Sequence, residues 1–434
     1  MRLSRAGSSS RWKLAIGFVA LLTLLAACGG SGDGAGGSSP TSSGTEGALG
    51  PAPSKSEIKI GVVTSVTGST ASSYAGVIPT ATAWAKWVNK TQGGINGHPV
   101  SIVTSDTKGD AAATLSGGQK FIRDNGVVAT IVADSQAESV LAGPFETAGL
   151  PVIGGSSVDT RVQGVSPIVF TTGSMNPYYE QGEVQAAKAK GATKLASLVC
   201  AESPVCAQIN KVFDASASKV GLDFIGGVAV AASAPNYTAP CLSLIDKGTD
   251  FVAAVVAGAV LSRIVKDCNA QGYKGMYGVF GQSVLQPVFE NLHGLSAAGT
   301  LTGFPWWSTA APVQKYLKVA EQYMSKDEWS KKVWANPSAT NVWASLELFR
   351  KAMSGASDSP TRTEVVDNYH KVSNETLGGL LPKAMTFTAG QPAPKVNCFW
   401  NYAYKDGRFS TIPPDGSAGN GASGDLASTC YSLD

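Results

Sequence analysis

Hydrophobic positions along the chain fall into three regimes. An unbroken apolar run at residues 14–25 follows the basic residues Arg2, Arg5, Arg11 and Lys13 and ends in small residues. That pattern marks residues 1–27 as a secretory signal, and the run is short for a membrane span. Over residues 29–56 large apolar side chains almost vanish, and Gly, Ser, Thr and Pro take their place. Such a segment buries too little surface to offset its ordering entropy, so it reads as a flexible tether with a reach of roughly 30 Å.

Beyond Glu57 two periods alternate. Strands are predicted at 58–63, 100–104, 127–132 and 151–153. Helices are predicted at 75–88, with Ala81, Trp84, Ala85 and Val88 on one face, at 111–123 and near Ser139. A second series has strands at 194–199, 223–229, 250–256 and 278–280, with helices at 206–218, 239–247 and 261–271. Repeated strand–helix alternation implies parallel sheets with right-handed crossovers. The roughly 378 residues of this region exceed one hydrophobic core and suit two α/β lobes. Late helical patterns at 313–324 and 339–353 predict that the chain crosses back to cover the first lobe.

Leu25-Ala26-Ala27-Cys28 resembles a bacterial lipobox. The resemblance implies that Cys28 becomes a lipidated N-terminus and that the rest of the chain lies outside the cytoplasm, anchored to the cell membrane by its acyl chains. Removing residues 1–27 takes four of the 34 basic residues and none of the 31 acidic ones, so the formal charge falls from +3 to −1. A near-neutral surface argues against nucleic acid or an anionic membrane face as the main partner.

The strand at 58–63 with Thr67-Gly68, the block Gly93-Gly94-Ile95-Asn96-Gly97-His98-Pro99-Val100, and Asp106 and Asp110 resemble the opening of type I periplasmic binding proteins. The closest branch is the branched-chain amino acid and amide receptors of ABC importers. Residues 148–153, Phe170-Thr171-Thr172, Asp250-Phe251-Val252 and Gly303-Phe304-Pro305-Trp306 follow in the family's order. The resemblance implies two doubly wound parallel-sheet lobes joined by a three-segment hinge, crossing near 173–177, 303–307 and 386–390. Lobe 1 is expected from 57–173 and 306–388, and lobe 2 from 174–305 and 389–434. Independently of the family, Gly93, Gly94, Asn96 and Gly97 suit a helix stop that needs positive φ, which makes the block structural punctuation.

Open α/β sheets bind ligands beyond the carboxyl ends of their strands. In lobe 1 this selects residues 65–74, 134–136 and 154–158. Helix starts there favour a polar or anionic ligand group. The resemblance gives Ser135 a hydroxyl-donor role and Ser156 a backbone carbonyl role, alongside N-capping of the next helix. Gln136 and Ser157 are neighbouring candidates, with Ser157 standing in for the donor that Val158 lacks. The chain departs from the family's pattern in lobe 2: Ser203-Pro204-Val205-Cys206 and Ala257-Gly258-Ala259 stand where the resemblance implies an aromatic or tyrosine, and Gln282 stands where it implies the acidic residue that pairs with an ammonium. A neutral amide cannot offset the desolvation of a buried ammonium as a carboxylate would. The expected ligand is therefore small, organic, and neutral or weakly anionic. Tyr74, Tyr178, Tyr179, Trp306 and Trp307 are the aromatic candidates, with Tyr74 and Trp306 preferred for stacking.

Six cysteines follow the lipidated one, and an even number in an exported chain implies disulfides, with fifteen connectivities open. Sequential pairing of Cys200 with Cys206, Cys241 with Cys268 and Cys398 with Cys430 is the simplest. It places all six in lobe 2 if the C-terminal segment returns there, as the family's topology implies. No zinc spacing, G-x-S-x-G elbow or H-E-x-x-H helix occurs, and His98, His293 and His370 read as structural or surface residues. No catalytic residue, metal or cofactor is expected. The leading reading is a monomeric solute-binding lipoprotein that delivers a small molecule to an ABC permease. A ligand sensor for a signalling partner and a lipid-anchored hydrolase are the alternatives.

Overall fold

The buried apolar strands at 58–64 and 127–132 each lead into a helix, and the chain winds such units into one parallel sheet. The computed structural model describes residues 50–124, 126–156, 162, 164–174, 178–202, 204–279 and 281–431. The signal peptide, Cys28, most of the tether and Ser157 lie outside the described residues. Strands β1 (Ile58–Thr64), β2 (Val100–Asp106), β3 (Val127–Val132) and β4 (Val152–Gly155) form a parallel sheet in the order β2-β1-β3-β4.

The second sheet contains β5 (Lys194–Cys200), β6 (Asp223–Val230), β7 (Phe251–Val255), β8 (Met276–Gly278), β9 (Ala297–Leu301), β10 (Cys398–Lys405), β11 (Arg408–Ile412) and β12 (Thr429–Cys430). Its order is β11-β10-β9-β8-β7-β5-β6, with β12 beside β10. Strands β5 to β9 pair in parallel. β10 runs antiparallel to β9, β11 and β12. The expectation of a purely parallel second lobe thus needs an antiparallel C-terminal margin added to it. β10 is buried at all but its last residue and shows no alternation, and β9 is made of small residues, Ala-Ala-Gly-Thr-Leu. Neither carries the period that reveals a half-buried strand. The strand expected at 278–280 ends at Gly278 instead.

The helix Val77–Thr91 buries Ala81, Trp84, Ala85 and Val88 as its spacing requires. The late helices Ala311–Tyr323 and Pro337–Ala352 pack against it. Trp84 Nε1 donates to Glu347 Oε1 at 2.9 Å, Trp87 and Trp343 lie 5.7 Å apart, and the Lys315 ammonium sits 4.4 Å over the Trp87 ring. The chain passes between the sheets three times. It leaves Phe170, whose N–H bonds to Val152 of β4, for the helix Tyr178–Ala189 on β9 and β10. It leaves β9 for the helix Ala311–Tyr323 on the first lobe, and Phe387, edge-on to Phe170 and tilted against Tyr369, for β10.

The disulfides are Cys200–Cys206, Cys241–Cys268 and Cys398–Cys430. They tie β5 to the helix Pro204–Val220, the helix Thr238–Asp246 to the helix Gly258–Ala270, and β10 to β12. In the turn block, Gly93, Gly94, Asn96 and Gly97 have φ of 70°, 79°, 49° and 85°. A Cβ on Gly94 would lie 2.0 Å from the His98 carbonyl oxygen, so only glycine fits. His98 is fully buried there, with Nδ1 2.7 Å from the Ser56 carbonyl oxygen.

Candidate functional site

The strand order reverses between β1 and β3, and the loops leaving β1, β3 and β4 meet at that switch point. The loop after β1 is shaped by Asp106 at the end of β2. Its carboxylate accepts hydrogen bonds from the Val66 and Thr67 N–H groups, the Thr67 hydroxyl and the Lys108 N–H. Burial pulls the other way, yet these donors hold the Asp106 carboxyl down to about 2. The loop so ordered feeds the short helix Ala71–Tyr74, whose last side chain turns toward the start of the helix Ser135–Thr147.

There the Tyr74 phenol accepts the Ser135 N–H at 3.1 Å and donates to Ser135 Oγ at 3.2 Å. Asp134 caps the same helix. Its carboxylate accepts the Gln136 N–H at 2.9 Å and the Thr107 hydroxyl, and its carbonyl accepts the Ala137 N–H. Ser156, held at the end of β4 by its N–H to the Val132 carbonyl, brings its hydroxyl beside the phenol. That Ser156 Oγ is buried and makes no well-formed hydrogen bond. Burial, and then the Asp134 charge, push the Tyr74 phenol up to about 12, although Ser135 and Ser156 act in the opposite direction.

The second lobe meets this cluster directly. The segment Ala71–Tyr74 lies against the turn Gly281–Ser283, which follows β8, and against the helix Gly258–Ala270, which follows β7. The helix Pro337–Ala352 touches both Ala71–Tyr74 and Gly281–Ser283, and Ser338 Oγ donates to the Ser73 carbonyl at 2.8 Å. Beside the junction, Lys332 pairs with Glu290 at 2.6 Å and the Gln286 N–H bonds to the Ala335 carbonyl. Gln282 Nε2 and Ser72 Oγ are buried here without a hydrogen-bond partner. Orphaned polar atoms on both sides of one closed contact are what a polar ligand would satisfy.

The structure thus brings Tyr74, Ser135 and Ser156 together and places Gln282 on the segment facing them. Gln136 contributes its backbone N–H to the Asp134 cap, while its side chain is exposed. Tyr178 is half-buried against Phe399. Trp306 is buried, packed edge-on against Trp307 and Phe409, with its indole N–H on Gln286 Oε1 at 2.7 Å. Neither of these aromatic residues shares a described partner with Tyr74. Ser72 and the capping role of Asp134 were missed in the sequence, although both lie in the loops it selected. Among the described residues, no three His, Cys, Asp or Glu side chains are grouped to hold a metal ion, and no helix is long and apolar enough to cross a membrane.

A family model for periplasmic binding proteins matches residues 57–408. The chain belongs to the periplasmic binding proteins. The fold of this periplasmic binding protein is similar to that of a leucine-binding protein from Thermotoga maritima, with a TM-score of 0.64 at 16% identity over 82% of this chain and 97% of that one. It is also similar to a fatty acid ABC transporter substrate-binding protein from Thermomonospora curvata, with a TM-score of 0.65 at 15% identity over 84% and 94%. A solute-binding protein from R. palustris, solved with benzoate, gives a TM-score of 0.66 at 14% identity over 86% and 96%. No curated protein sequence matches this periplasmic binding protein.

Proposed function

We propose that this chain is an extracytoplasmic solute-binding lipoprotein, held at the membrane through Cys28, that closes two lobes on a small organic molecule and delivers it to an ABC permease. The observation that carries the reading is the strand-end cluster of Tyr74, Ser135 and Ser156 set against Gln282, with buried polar atoms lacking partners in both lobes. Membership of the periplasmic binding proteins supports binding rather than turnover. Structural neighbours named for leucine, a fatty acid and benzoate support a small organic ligand. The lobes are taken as 57–173 with 306–388 and 174–305 with 389–434, and the protein as a monomer.

The test is native mass spectrometry of the purified protein for a ligand carried through purification, followed by calorimetry with that ligand. Ser156→Ala or Gln282→Ala removes one buried hydrogen bond, which is worth about 1–3 kcal/mol, or roughly a 5-fold to 150-fold loss of affinity. Unchanged affinity in both variants would place the site elsewhere. Turnover of an ester, amide or glycoside would replace the reading with a hydrolase.

A further inference from the structure

At the start of the helix Ser135–Thr147 the free N–H groups would ordinarily favour a ligand carboxylate. In this chain they are already taken. The Ser135 N–H is bonded to the Tyr74 phenol, the Gln136 N–H to the Asp134 carboxylate, and the Ala137 N–H to the Asp134 carbonyl. Asp134 itself is 1% exposed, and its second carboxylate oxygen accepts from Thr107. A buried negative group therefore sits where the positive end of the helix dipole would otherwise be felt, and a second anion brought beside it meets repulsion with little screening. Glu138, also buried in the first turn, has interactions of its own. The polar atoms left for a ligand are uncharged: the Ser156 hydroxyl beside Tyr74, which is 5% exposed with no formed hydrogen bond, and the Ser72 hydroxyl and Gln282 amide across the contact.

We infer that Asp134 is a specificity-determining residue that turns this half of the site against carboxylates and selects an uncharged ligand bearing a hydroxyl or amide group. The inference rests on the proposed function. Asp134 acts through its charge on the ligand's polar end, while Tyr74 keeps the one remaining helix donor occupied. Asn at position 134 is an equally good cap and nearly isosteric, and Thr107 can rotate its hydroxyl to accept from the new amide, so Asp134→Asn removes charge with little change of shape.

The experiment is calorimetry on the purified protein at neutral pH with matched pairs, benzamide against benzoate and isovaleramide against isovalerate. The wild type is expected to hold the amide at least tenfold tighter than the acid. Asp134→Asn is expected to shrink that ratio at least fivefold by improving the acid. Tyr74→Phe frees the Ser135 N–H but leaves the Asp134 charge in place, so it is expected to shrink the ratio by clearly less than Asp134→Asn does. An acid bound as tightly as its amide by the wild type overturns the inference, as does a ratio unmoved by Asp134→Asn or moved equally by Tyr74→Phe. If no pair binds, the ligand that co-purifies decides: an uncharged molecule supports the inference, and a carboxylic acid overturns it while leaving the proposed function standing. No co-purifying molecule and no binding of either pair would overturn both.

Discussion

Glu183 is fully buried on the helix Tyr178–Ala189, and neither of its carboxylate oxygens has a hydrogen-bond partner among the described residues. Room for the carboxyl is made by Gly278, where a Cβ would lie 2.1 Å from Glu183 Oε1. Burial first, and the nearby charge of Glu180 second, hold its pKa well above the usual glutamate value. The sign of the consequence follows from linkage. Below the ordinary glutamate value, both folded and unfolded chains carry the proton and pH has no effect through this group. Above it the unfolded chain releases the proton while the folded chain keeps it, so stability falls as pH rises until the folded pKa is reached. The slope for one proton is about 1.4 kcal/mol per pH unit. Glu183→Gln keeps the shape, cannot ionise, and removes that slope. Urea denaturation of the disulfide-intact protein at several pH values between 4.5 and 7 measures it. The variant is expected to gain on the wild type as pH rises, by up to about 1.4 kcal/mol per unit across the window. Parallel stability curves, or a uniform loss in the variant, would refute the reasoning.

Three further outcomes are expected. Asp106 has a depressed pKa, so its stabilisation is present above the ordinary aspartate value and is lost as pH falls toward about 2. Asp106→Ala should cost no more than about 1–2 kcal/mol, because the group is solvent-screened, and should speed amide exchange at Val66 and Thr67. Replacing Cys241 and Cys268 together by Ser opens a link across a sequence separation of 27 and should lower stability by about 3–4 kcal/mol in urea titrations, with no change expected on adding reductant to the variant beyond the loss of the other two bridges. Glu347→Gln weakens the acceptor shared by Trp84, Lys315 and Arg350; a loss of about 1–3 kcal/mol by thermal denaturation is expected, and an unchanged midpoint would show that the network contributes nothing.

Much of the first lobe was legible because its signals are local. The helix at 111–123 and the strand at 127–132 stand where the periods place them. The hairpin at β10 and β11 carried a signal that was passed over: Asp406-Gly407, both at positive φ, is a common two-residue turn. Of the strands it joins, β10 hides because burial on both faces erases alternation, while β11 is a short margin of exposed and half-buried residues.

The sequence by itself determined where the backbone can bend, which faces are apolar and how many thiols must pair, since these depend on residues a few positions apart. Only the tertiary structure decided that Trp84 meets Glu347 and that Ser73 meets Ser338, contacts spanning 263 and 265 residues. The same holds for the site. Residues 134–136 announce a helix start, but whether its N–H groups stay open to a ligand depends on where Tyr74 arrives, 61 residues earlier in the chain. A donor's availability belongs to the packed whole, because any acceptor that folding brings within 3 Å consumes it.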